Sequence, residues 1–240
     1  MIKAVFFDLD GTLLPMLEEE FTKVYFGLLC KKAMPYGYDK DKLIQTIWAG
    51  TKAMKHNDGS KTNESVFWNV FESVYGEFEC KKMKPVFDEF YENEFKQSKA
   101  VCFENPYATE IIEFCKSKNL KIAVSTSPYF PKQGVVSRLG FLGLNENDFD
   151  YITNYSNSSY SKPNPKFYEE ILKTLNLDAS EVLMFGNSET DDGKPMKNLG
   201  AKVFMVGDYV SVDENLNEHF EKIKFEDVVS IIEKELSKTN

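Results

Sequence analysis

Residues 5–13 read VFFDLDGTL, an apolar run that ends in two aspartates and a Gly-Thr pair. A strand that is apolar on both faces is typical of the middle of a parallel sheet covered by helices. Asp8 and Asp10 follow this run, and they point to the same side of an extended chain because side chains alternate. Gly11 allows a sharp turn. We therefore expect both carboxylates at the carboxyl end of the strand, where ligands bind in open α/β sheets.

From residue 105 onward, apolar segments of strand length alternate with helical segments. Further strands are predicted at 120–126, 149–153, 181–186 and 201–206, the last of them ending the sheet. Helices are predicted at 108–118, 131–139, 165–175 and 191–199. Apolar strands separated by helices of about a dozen residues are typical of right-handed βαβ units. The pattern therefore predicts an α/β fold with a parallel sheet.

Residues 16–99 have a different character. Apolar residues recur at helical spacing over 16–34, 39–55, 64–76 and 85–95, with turn-like joins at 35–38 and 56–63. No β-type alternation interrupts these segments. The simplest architecture is one α/β domain, residues 1–15 and 100–240, interrupted after its first strand by a helical domain of roughly 80 residues, residues 16–99.

Composition and charge limit the classes of function. The chain has 240 residues, of which 42% are hydrophobic, enough to bury a sizeable core. The net charge of −9 argues against nucleic acid or an anionic membrane as the main partner. No apolar run approaches the roughly 18 residues of a transmembrane helix. The N-terminal segment lacks a signal-peptide pattern, so we expect a cytoplasmic protein.

The residue inventory disfavours two common chemistries. His56 and His219 are the only histidines, and neither lies in a recognisable motif, which makes Ser–His and His–metal sites improbable. Arg138 is the only arginine, which excludes an arginine cluster for phosphate. Carboxylates, hydroxyls and lysines are therefore the groups to consider.

Further polar residues occur where the parallel strands are expected to end. They are Ser125, Thr126 and Ser127 after LKIAV (120–124), Lys162 in YSKPNPKFY (160–168), and Asn187, Asp191 and Asp192 after VLMFG (182–186). Because the carboxyl ends of parallel strands meet at one edge of a sheet, we expect these groups near Asp8 and Asp10. The sequence thus predicts a site with hydroxyls, one ammonium and several carboxylates.

Taken together, these segments resemble the motifs of the haloacid dehalogenase-like (HAD) superfamily. DLDGT (8–12) is similar to the first motif, Thr126 to the second, Lys162 in KPNP (162–165) to the third and GNSETDD (186–192) to the fourth. The motifs occur in the family's order over residues 1–15 and about 100–207. The resemblance implies a Rossmann-like core with a parallel sheet, and it assigns residues 16–99 to the position of the family's α-helical cap.

The resemblance also implies a role for each matching residue. Asp8 resembles the nucleophile that becomes an aspartyl-phosphate, and Asp10 resembles the general acid/base for the leaving oxygen and for water. Mg²⁺, bound by the Asp8 side chain and the Asp10 backbone carbonyl, would let both carboxylates stay ionised beside an anionic substrate. Thr126 and the Ser127 amide would bind phosphoryl oxygens, and Lys162 would neutralise charge in the transition state.

The fourth motif departs from the family pattern, which usually has an aspartate directly after the glycine. Here that residue is Asn187, whose amide oxygen can bind Mg²⁺ but carries no charge. Either Asp191 or Asp192 is expected to supply the accompanying carboxylate of the metal site, and the longer spacing favours Asp192. The second motif has an alternative too, because Ser125 lies one position before Thr126.

The function expected from this resemblance is a Mg²⁺-dependent phosphatase acting on a small phosphorylated metabolite. One alternative is a phosphomutase, which shares every motif, and another is a weakly active regulatory or binding protein, suggested by Asn187. A hydrolytic dehalogenase fits less well, because it needs neither Asp10 as acid/base nor Mg²⁺. Lys52 and Lys55, on the helix before the turn 56–63, could reach over the site, and the alternative is that they are solvated at the helix end. The substrate's identity and the oligomeric state stay open.

Overall fold

The centre of the molecule is a six-stranded sheet. The computed structural model describes residues 1–216 and 219–238. Its strands are β1 (Ala4–Phe7), β2 (Lys121–Val124), β3 (Tyr151–Ile152), β4 (Val182–Gly186), β5 (Lys202–Val206) and β6 (Glu221–Ile223). They lie in the order β3-β2-β1-β4-β5-β6, and every pairing is parallel. The predicted α/β class with a Rossmann-like parallel sheet is confirmed.

Strand β1 lies in the middle because its side chains are apolar on both faces. All of its residues are buried. Val5 and Phe7 belong to one hydrophobic cluster, and Ala4 and Phe6 belong to a second one. Phe7 is in register with the last residue of β2 and with Phe185 of β4. The strand order reverses between β1 and β4, and a crevice for ligands opens at the carboxyl ends of strands at such a point.

Between β1 and β2 the chain forms a helical insertion, residues 18–101. Its helices are α1 (Glu18–Ala33), α2 (Lys40–Lys55), α3 (Asn63–Tyr75) and α4 (Glu77–Glu92), followed by a 3₁₀-helical segment, Glu94–Val101. Helices α1 to α3 agree with the predicted segments to within two residues at each end. The domain boundaries expected at residues 15 and 100 stay a prediction.

The fourth helix of the insertion begins earlier than the sequence indicates. The prediction places its start at Pro85, but α4 begins directly after Gly76, and Pro85 lies inside it. An interior proline removes a backbone hydrogen bond and costs about 3 kcal/mol. Burial of the apolar face of α4, which includes Met83, Phe87 and Phe90, offsets that cost. Proline was therefore a misleading start signal at this position.

Within the described residues, the remaining α-helices cover the two faces of the sheet and complete the α/β core. They are α5 (Ala108–Ser117), α6 (Lys132–Phe141), α7 (Pro165–Leu175), α8 (Lys194–Leu199) and α9 (Val228–Ser237). Residues of α5, α6, α9 and the insertion share the cluster of Val5 and Phe7, whereas α7 and α8 share the cluster of Ala4 and Phe6. Across the described part of the chain, every helix falls short of the length and apolarity that a membrane span requires.

One prediction for the last part of the chain is wrong. Strand β5 is not the last strand, because β6 pairs with it and α9 follows. In β6 only Ile223 is buried, so the sequence contains no apolar run that would predict this strand. The helix predicted at 191–199 is present, and it begins two residues earlier with a π-helical turn, Glu189–Gly193, which precedes α8. Such turns add one residue to a helical turn and occur often at functional sites.

Candidate functional site

The chain after β1 forms a tight turn that carries Asp8 and Asp10. The Asp8 amide donates to the Phe185 carbonyl at 2.9 Å, which extends the pairing of β1 and β4 to the site. Gly11 has a φ of 79°, in the left-handed region that favours glycine. A Cβ atom on Gly11 would lie 2.3 Å from Nδ2 of Asn187. The turn therefore packs directly against the segment that follows β4.

Asp8 is a buried carboxylate with two side-chain donors. Thr12 Oγ1 donates to Oδ2 at 3.1 Å, and Lys162 Nζ donates to Oδ1 at 2.7 Å. Burial raises the pKa of Asp8 to about 7, although the Lys162 ammonium opposes this shift. The neighbouring carboxylates of Asp192 and Asp10 raise the Asp8 pKa further. Positive charge brought into the site would favour the ionised form of Asp8.

Lys162 lies between two carboxylates. Its Nζ also donates to Oδ1 of Asp192 at 2.5 Å, and the lysine side chain is almost completely buried. Burial by itself lowers the pKa of Lys162, but the carboxylates of Asp192 and Asp8 outweigh it, so the pKa is raised. The ammonium is therefore protonated at neutral pH, and the three groups together carry a net negative charge when both carboxylates are ionised.

The acceptor sites of Asp192 are filled by protein donors. Besides Lys162, the Tyr168 hydroxyl donates to Oδ1 at 2.9 Å. The backbone amides of Asn187 and Ser188 each donate to Oδ2 at 3.1 Å. A carboxylate has about four acceptor sites, so these four donors satisfy it. Asp192 therefore orients Lys162 and holds the loop after β4 in place.

Asn187 and Asp191 have oxygen atoms that remain available. Nδ2 of Asn187 donates to the Tyr209 carbonyl at 3.0 Å, which fixes the orientation of the amide. Nothing in residues 1–216 and 219–238 forms a hydrogen bond to Oδ1 of Asn187 or to the carboxylate of Asp191. Burial raises the pKa of Asp191, while Lys162 opposes the shift. Both residues can therefore offer an oxygen to a ligand.

Asp10 forms an ion pair that the sequence analysis did not predict. Nη1 of Arg138 donates to Oδ2 of Asp10, and Arg138 is fully buried on α6. The same Oδ2 accepts from the Thr126 hydroxyl at 3.4 Å. Asp10 Oδ1 and Arg138 Nη2 are buried and have no hydrogen-bond partner in the described part of the chain. The guanidinium thus holds Oδ2 in place, whereas Oδ1 is enclosed by the protein.

A sequence signal for Arg138 was present. The residue lies three positions after Val135 and one before Leu139, on the apolar face of the predicted helix. A lone charge on a buried helix face requires a partner. In the structure its Nε donates to the Gly134 carbonyl at 3.2 Å, and its guanidinium lies 4.4 Å from the centre of the Phe130 ring. The identity of the acidic partner, however, depends on the packing of α6 beside β1.

Two of the three hydroxyl residues that follow β2 face the site. Thr126 and Ser127 line the same cavity as Asp8, whereas Ser125 is not among the described residues that line it. Ser125 Oγ instead donates to the Phe7 carbonyl at 3.3 Å, within the sheet. Of the two candidates for the second motif, Thr126 is therefore the one that faces the cavity.

One cavity of about 620 Å³, here called the site cavity, lies at the carboxyl edge of the sheet. The predicted residues that line it are Asp8, Asp10, Thr126, Ser127, Lys162, Asn187, Asp191 and Asp192. The helical insertion contributes Glu18, Thr22 and Lys55 to the wall, among others. Lys52, the other lysine considered from the sequence, does not line the cavity. Of these two lysines, only Lys55 therefore contributes to the wall of the site cavity.

The end of α2 and the start of α3 connect the helical insertion to the segment that carries Lys162. Asn63 Nδ2 donates to Oγ of Ser161 at 3.2 Å, and Ser161 Oγ donates to the Met54 carbonyl, also at 3.2 Å. Met54 directly precedes Lys55, and Ser161 directly precedes Lys162. These hydrogen bonds therefore link the two segments that bring Lys55 and Lys162 to the site cavity from different parts of the fold.

Comparison with known proteins identifies one family for this chain. A family model described as haloacid dehalogenase-like hydrolase matches residues 2–200. The phosphorylated carbohydrates phosphatase of Thermotoga maritima is 28% identical over 189 residues, which are 79% of this chain and 78% of that relative. The glyceraldehyde 3-phosphate phosphatase of Methanothermobacter thermautotrophicus is 22% identical over 244 residues, with 92% of each chain covered. The crystal structure of a 2-haloacid dehalogenase from Pseudomonas syringae pv. Tomato shares the fold, with a TM-score of 0.66, 18% identity and coverage of 98% of this chain and 99% of that chain.

Proposed function

Since the chain belongs to the haloacid dehalogenase-like hydrolases and is a hydrolase of the phosphatase type, we propose that it removes the phosphoryl group from a small phosphorylated metabolite. The resemblance to the HAD superfamily is thereby confirmed. We propose further that the reaction passes through an aspartyl-phosphate on Asp8. The observation that carries this proposal is the Asp8 carboxylate at the end of β1, with the Lys162 ammonium 2.7 Å away in the same cavity.

The first step transfers the phosphoryl group to Asp8. The carboxylate attacks phosphorus, the bond from phosphorus to the alcohol oxygen breaks, and Asp10 gives its proton to that oxygen. Thr126 and the Ser127 amide hold phosphoryl oxygens, and Lys162 neutralises charge that develops on them. Lys162 is well suited to this role because Asp192 holds its ammonium in place without filling the cavity.

The second step restores the enzyme. Asp10 accepts a proton from a water molecule, which attacks phosphorus, and the bond between Asp8 and phosphorus breaks to release inorganic phosphate. In both steps the proton is carried by the Asp10 carboxyl group, whose position therefore matters. Arg138 fixes the orientation of the Asp10 carboxyl group, and because Oδ1 is buried we assign proton transfer to Oδ2.

We propose Mg²⁺ as the cofactor. Mg²⁺ takes oxygen ligands and usually keeps several waters, with only one or two carboxylates from the protein. Among the described residues, no three His, Cys, Asp or Glu side chains form a metal cluster. The oxygens present suit Mg²⁺ nevertheless. The Asp8 carboxylate would bind the ion together with two neutral ligands, the Asp10 carbonyl oxygen and Oδ1 of Asn187. When bound, the ion polarises the phosphoryl group and offsets its negative charge.

We propose a role for Asp192 that differs from the one favoured by the sequence spacing. The sequence spacing favours Asp192 as the carboxylate of the metal site, but its oxygens are occupied by Lys162, Tyr168 and two amides. Asp191 lines the same cavity without such donors. We therefore assign Asp192 to positioning Lys162 and Asp191 to the metal site, directly or through a bound water.

A phosphate-release assay tests the proposed function. The protein is incubated with a panel of phosphorylated metabolites and with p-nitrophenyl phosphate, once with Mg²⁺ and once with EDTA, and Asp8→Asn serves as the control. We expect release of inorganic phosphate that depends on Mg²⁺ and on Asp8. Conversion of a substrate into an isomeric phosphate ester without release would identify a phosphomutase. Ligand binding without any turnover would identify a binding protein.

A further inference from the structure

A second cavity lies beside the site cavity, between the helical insertion and the α/β core. Its volume is about 110 Å³, and ten of its sixteen lining residues are aromatic, so it is called the aromatic cavity here. They include Tyr25, Trp48 and Trp68 of the insertion and Tyr129, Phe130 and Tyr155 of the core. An apolar cavity of about 150 Å³ in another protein binds benzene. The aromatic cavity is smaller than that, so it is large enough for at most one six-membered ring.

The two cavities adjoin each other. Glu18, Thr22, Tyr129 and Phe130 line both of them. A small molecule whose phosphoryl group lies at Asp8 can therefore extend past these residues into the aromatic cavity. The group that would enter is the alcohol part of a phosphate ester, because the phosphoryl part stays at the edge of the sheet.

Three of the six hydroxyl groups on the described residues that line the aromatic cavity are paired with each other or with the backbone. The hydroxyls of Tyr25 and Tyr91 share a hydrogen bond of 3.0 Å, and Thr51 Oγ1 donates to the Ile47 carbonyl at 3.0 Å. A sugar ring carries several hydroxyls, and each one loses free energy if it is buried without a partner. An aromatic ring needs no such partner, and it gains from edge and face contacts with other rings.

Charge further restricts the ligand. Among the described residues that line the aromatic cavity, the charged ones are Glu18 and Asp88, both acidic and both at exposed positions. Lys84 Nζ lies 4.9 Å from the centre of the Trp68 ring, but Lys84 does not line the cavity. A second phosphate or a carboxylate on the ring would therefore meet only negative charge. The two acidic groups are solvated, so they do not require a cationic ligand.

We propose that the aromatic cavity binds an uncharged aromatic ring in the alcohol part of the substrate. The substrate class is then a phosphate monoester of a small aromatic alcohol, rather than a sugar phosphate or a bisphosphate. This inference rests on the proposed phosphatase function, because it names the substrate class of that same site.

The first test compares three phosphate esters: benzyl phosphate, ethyl phosphate and glucose 6-phosphate. All three are esters of primary alcohols, so differences in kcat/KM report mainly on binding of the group beyond the first carbon. We expect kcat/KM for benzyl phosphate to exceed the other two by about tenfold or more, as is usual for filling an apolar pocket. Equal values for benzyl and ethyl phosphate, or a preference for glucose 6-phosphate, would overturn the proposal.

The second test removes one wall of the cavity. Trp48 is 52% exposed, so Trp48→Ala is expected to fold, and Phe78→Ala is the matched control because Phe78 is 70% exposed in the same insertion and lines neither cavity. Trp48→Ala should lower kcat/KM for benzyl phosphate about tenfold and leave ethyl phosphate within about twofold. Phe78→Ala should change neither. Equal losses of Trp48→Ala on both esters, or no loss on either, would contradict the proposal.

Binding of benzylphosphonate, which cannot be hydrolysed at its carbon–phosphorus bond, separates this proposal from the proposed function. Calorimetry with wild type and Trp48→Ala should show affinity that falls about tenfold in the variant. If no ester releases phosphate but this difference is seen, the phosphatase function is wrong and the aromatic subsite stands. If esters are hydrolysed but benzylphosphonate binds both proteins equally, the subsite is wrong and the phosphatase function stands.

Discussion

The guanidinium of Arg138 and the carboxylate of Asp10 form an ion pair across 128 positions of sequence. Arg138 is the only arginine of the chain, and it is completely buried. A buried charge is costly unless it is paired, and here its partner is the residue to which we assign proton transfer. The position of the acid/base carboxyl group therefore depends on how α6 packs against the sheet.

Replacing Arg138 with Met should impair the step that depends on Asp10. Met keeps an apolar chain of similar reach but leaves Oδ2 of Asp10 without the guanidinium. Because a general acid contributes about 10²–10⁴-fold, we expect kcat for ethyl phosphate to fall at least tenfold, with little change in KM. Steady-state kinetics with an excess of Mg²⁺ provide the measurement.

The control for this prediction is the same substitution in an Asp10→Asn background. If Arg138 acts only through Asp10, Arg138→Met should then change kcat by less than about twofold. An equal loss in both backgrounds would show that Arg138 acts on activity through general stability. Loss of the buried pair costs about 3–5 kcal/mol of folding free energy, so the assay temperature is set below the Tm of each variant. If Arg138→Met fails to fold, Arg138→Lys replaces it in both backgrounds.

Lys55 and Lys52 allow a matched test of substrate selection. Both are exposed lysines of α2, but only Lys55 lines the site cavity. Lys55→Ala should raise KM for benzyl phosphate several-fold, because it removes positive charge from the wall of the cavity that binds the anionic phosphoryl group. Lys52→Ala should leave this KM unchanged. Equal effects of the two substitutions would show that the net charge of the helix, and not contact in the cavity, is responsible.

Asn187→Asp should strengthen Mg²⁺ binding. The substitution keeps one oxygen in place and adds a negative charge, worth roughly 1–3 kcal/mol next to a divalent ion after desolvation is counted. It also loses the hydrogen bond to the Tyr209 carbonyl, so we expect about a tenfold lower half-saturating Mg²⁺ concentration. Titration of activity with Mg²⁺ measures it, and Asn187→Ala should shift it the opposite way. An unchanged value in both variants would exclude Asn187 from the metal site.

The raised pKa of Asp8 predicts how the stability of the metal-free protein depends on pH. The folded state holds the Asp8 proton with a pKa of about 7, above the ordinary value of 3.8. The penalty for ionising this buried carboxyl is therefore absent below about pH 4 and complete above about pH 7, where it amounts to a few kcal/mol. Asp8→Asn removes the penalty, so its Tm in EDTA should rise relative to wild type as the pH increases from 4 to 8. A Tm difference that is constant over this range would contradict the assignment.

The sequence predicts much of the site because its residues follow strands that are easy to recognise. The fully apolar residues of β1 and β4 identify buried strands, and their carboxyl ends determine where Asp8 and Asn187 lie. Lys162 and Thr126 are found in the same way, through spacing and family resemblance. Local pattern is sufficient wherever a functional residue directly follows a buried element.

Features that depend on packing between distant segments could not be predicted. The partner of Arg138 is determined by where α6 lies on the sheet, and the separation of Lys55 from Lys52 depends on how α2 is oriented over the cavity. The π-helical turn Glu189–Gly193 lets Asp192 turn back to the amides of Asn187 and Ser188. Sequence spacing alone left Asp191 and Asp192 undecided for that reason.

The most direct test of the account is to isolate the covalent intermediate on Asp8. Wild type and Asp8→Asn are mixed with phosphate ester labelled with ³²P, quenched in acid within milliseconds and analysed for label bound to protein. The account predicts that wild type retains acid-stable label on the peptide that contains Asp8, that Asp8→Asn retains none, and that Asp8→Asn is folded but inactive. Wild type that turns over without any labelled protein, or Asp8→Asn that keeps more than a few per cent of wild-type activity, would contradict covalent catalysis by Asp8.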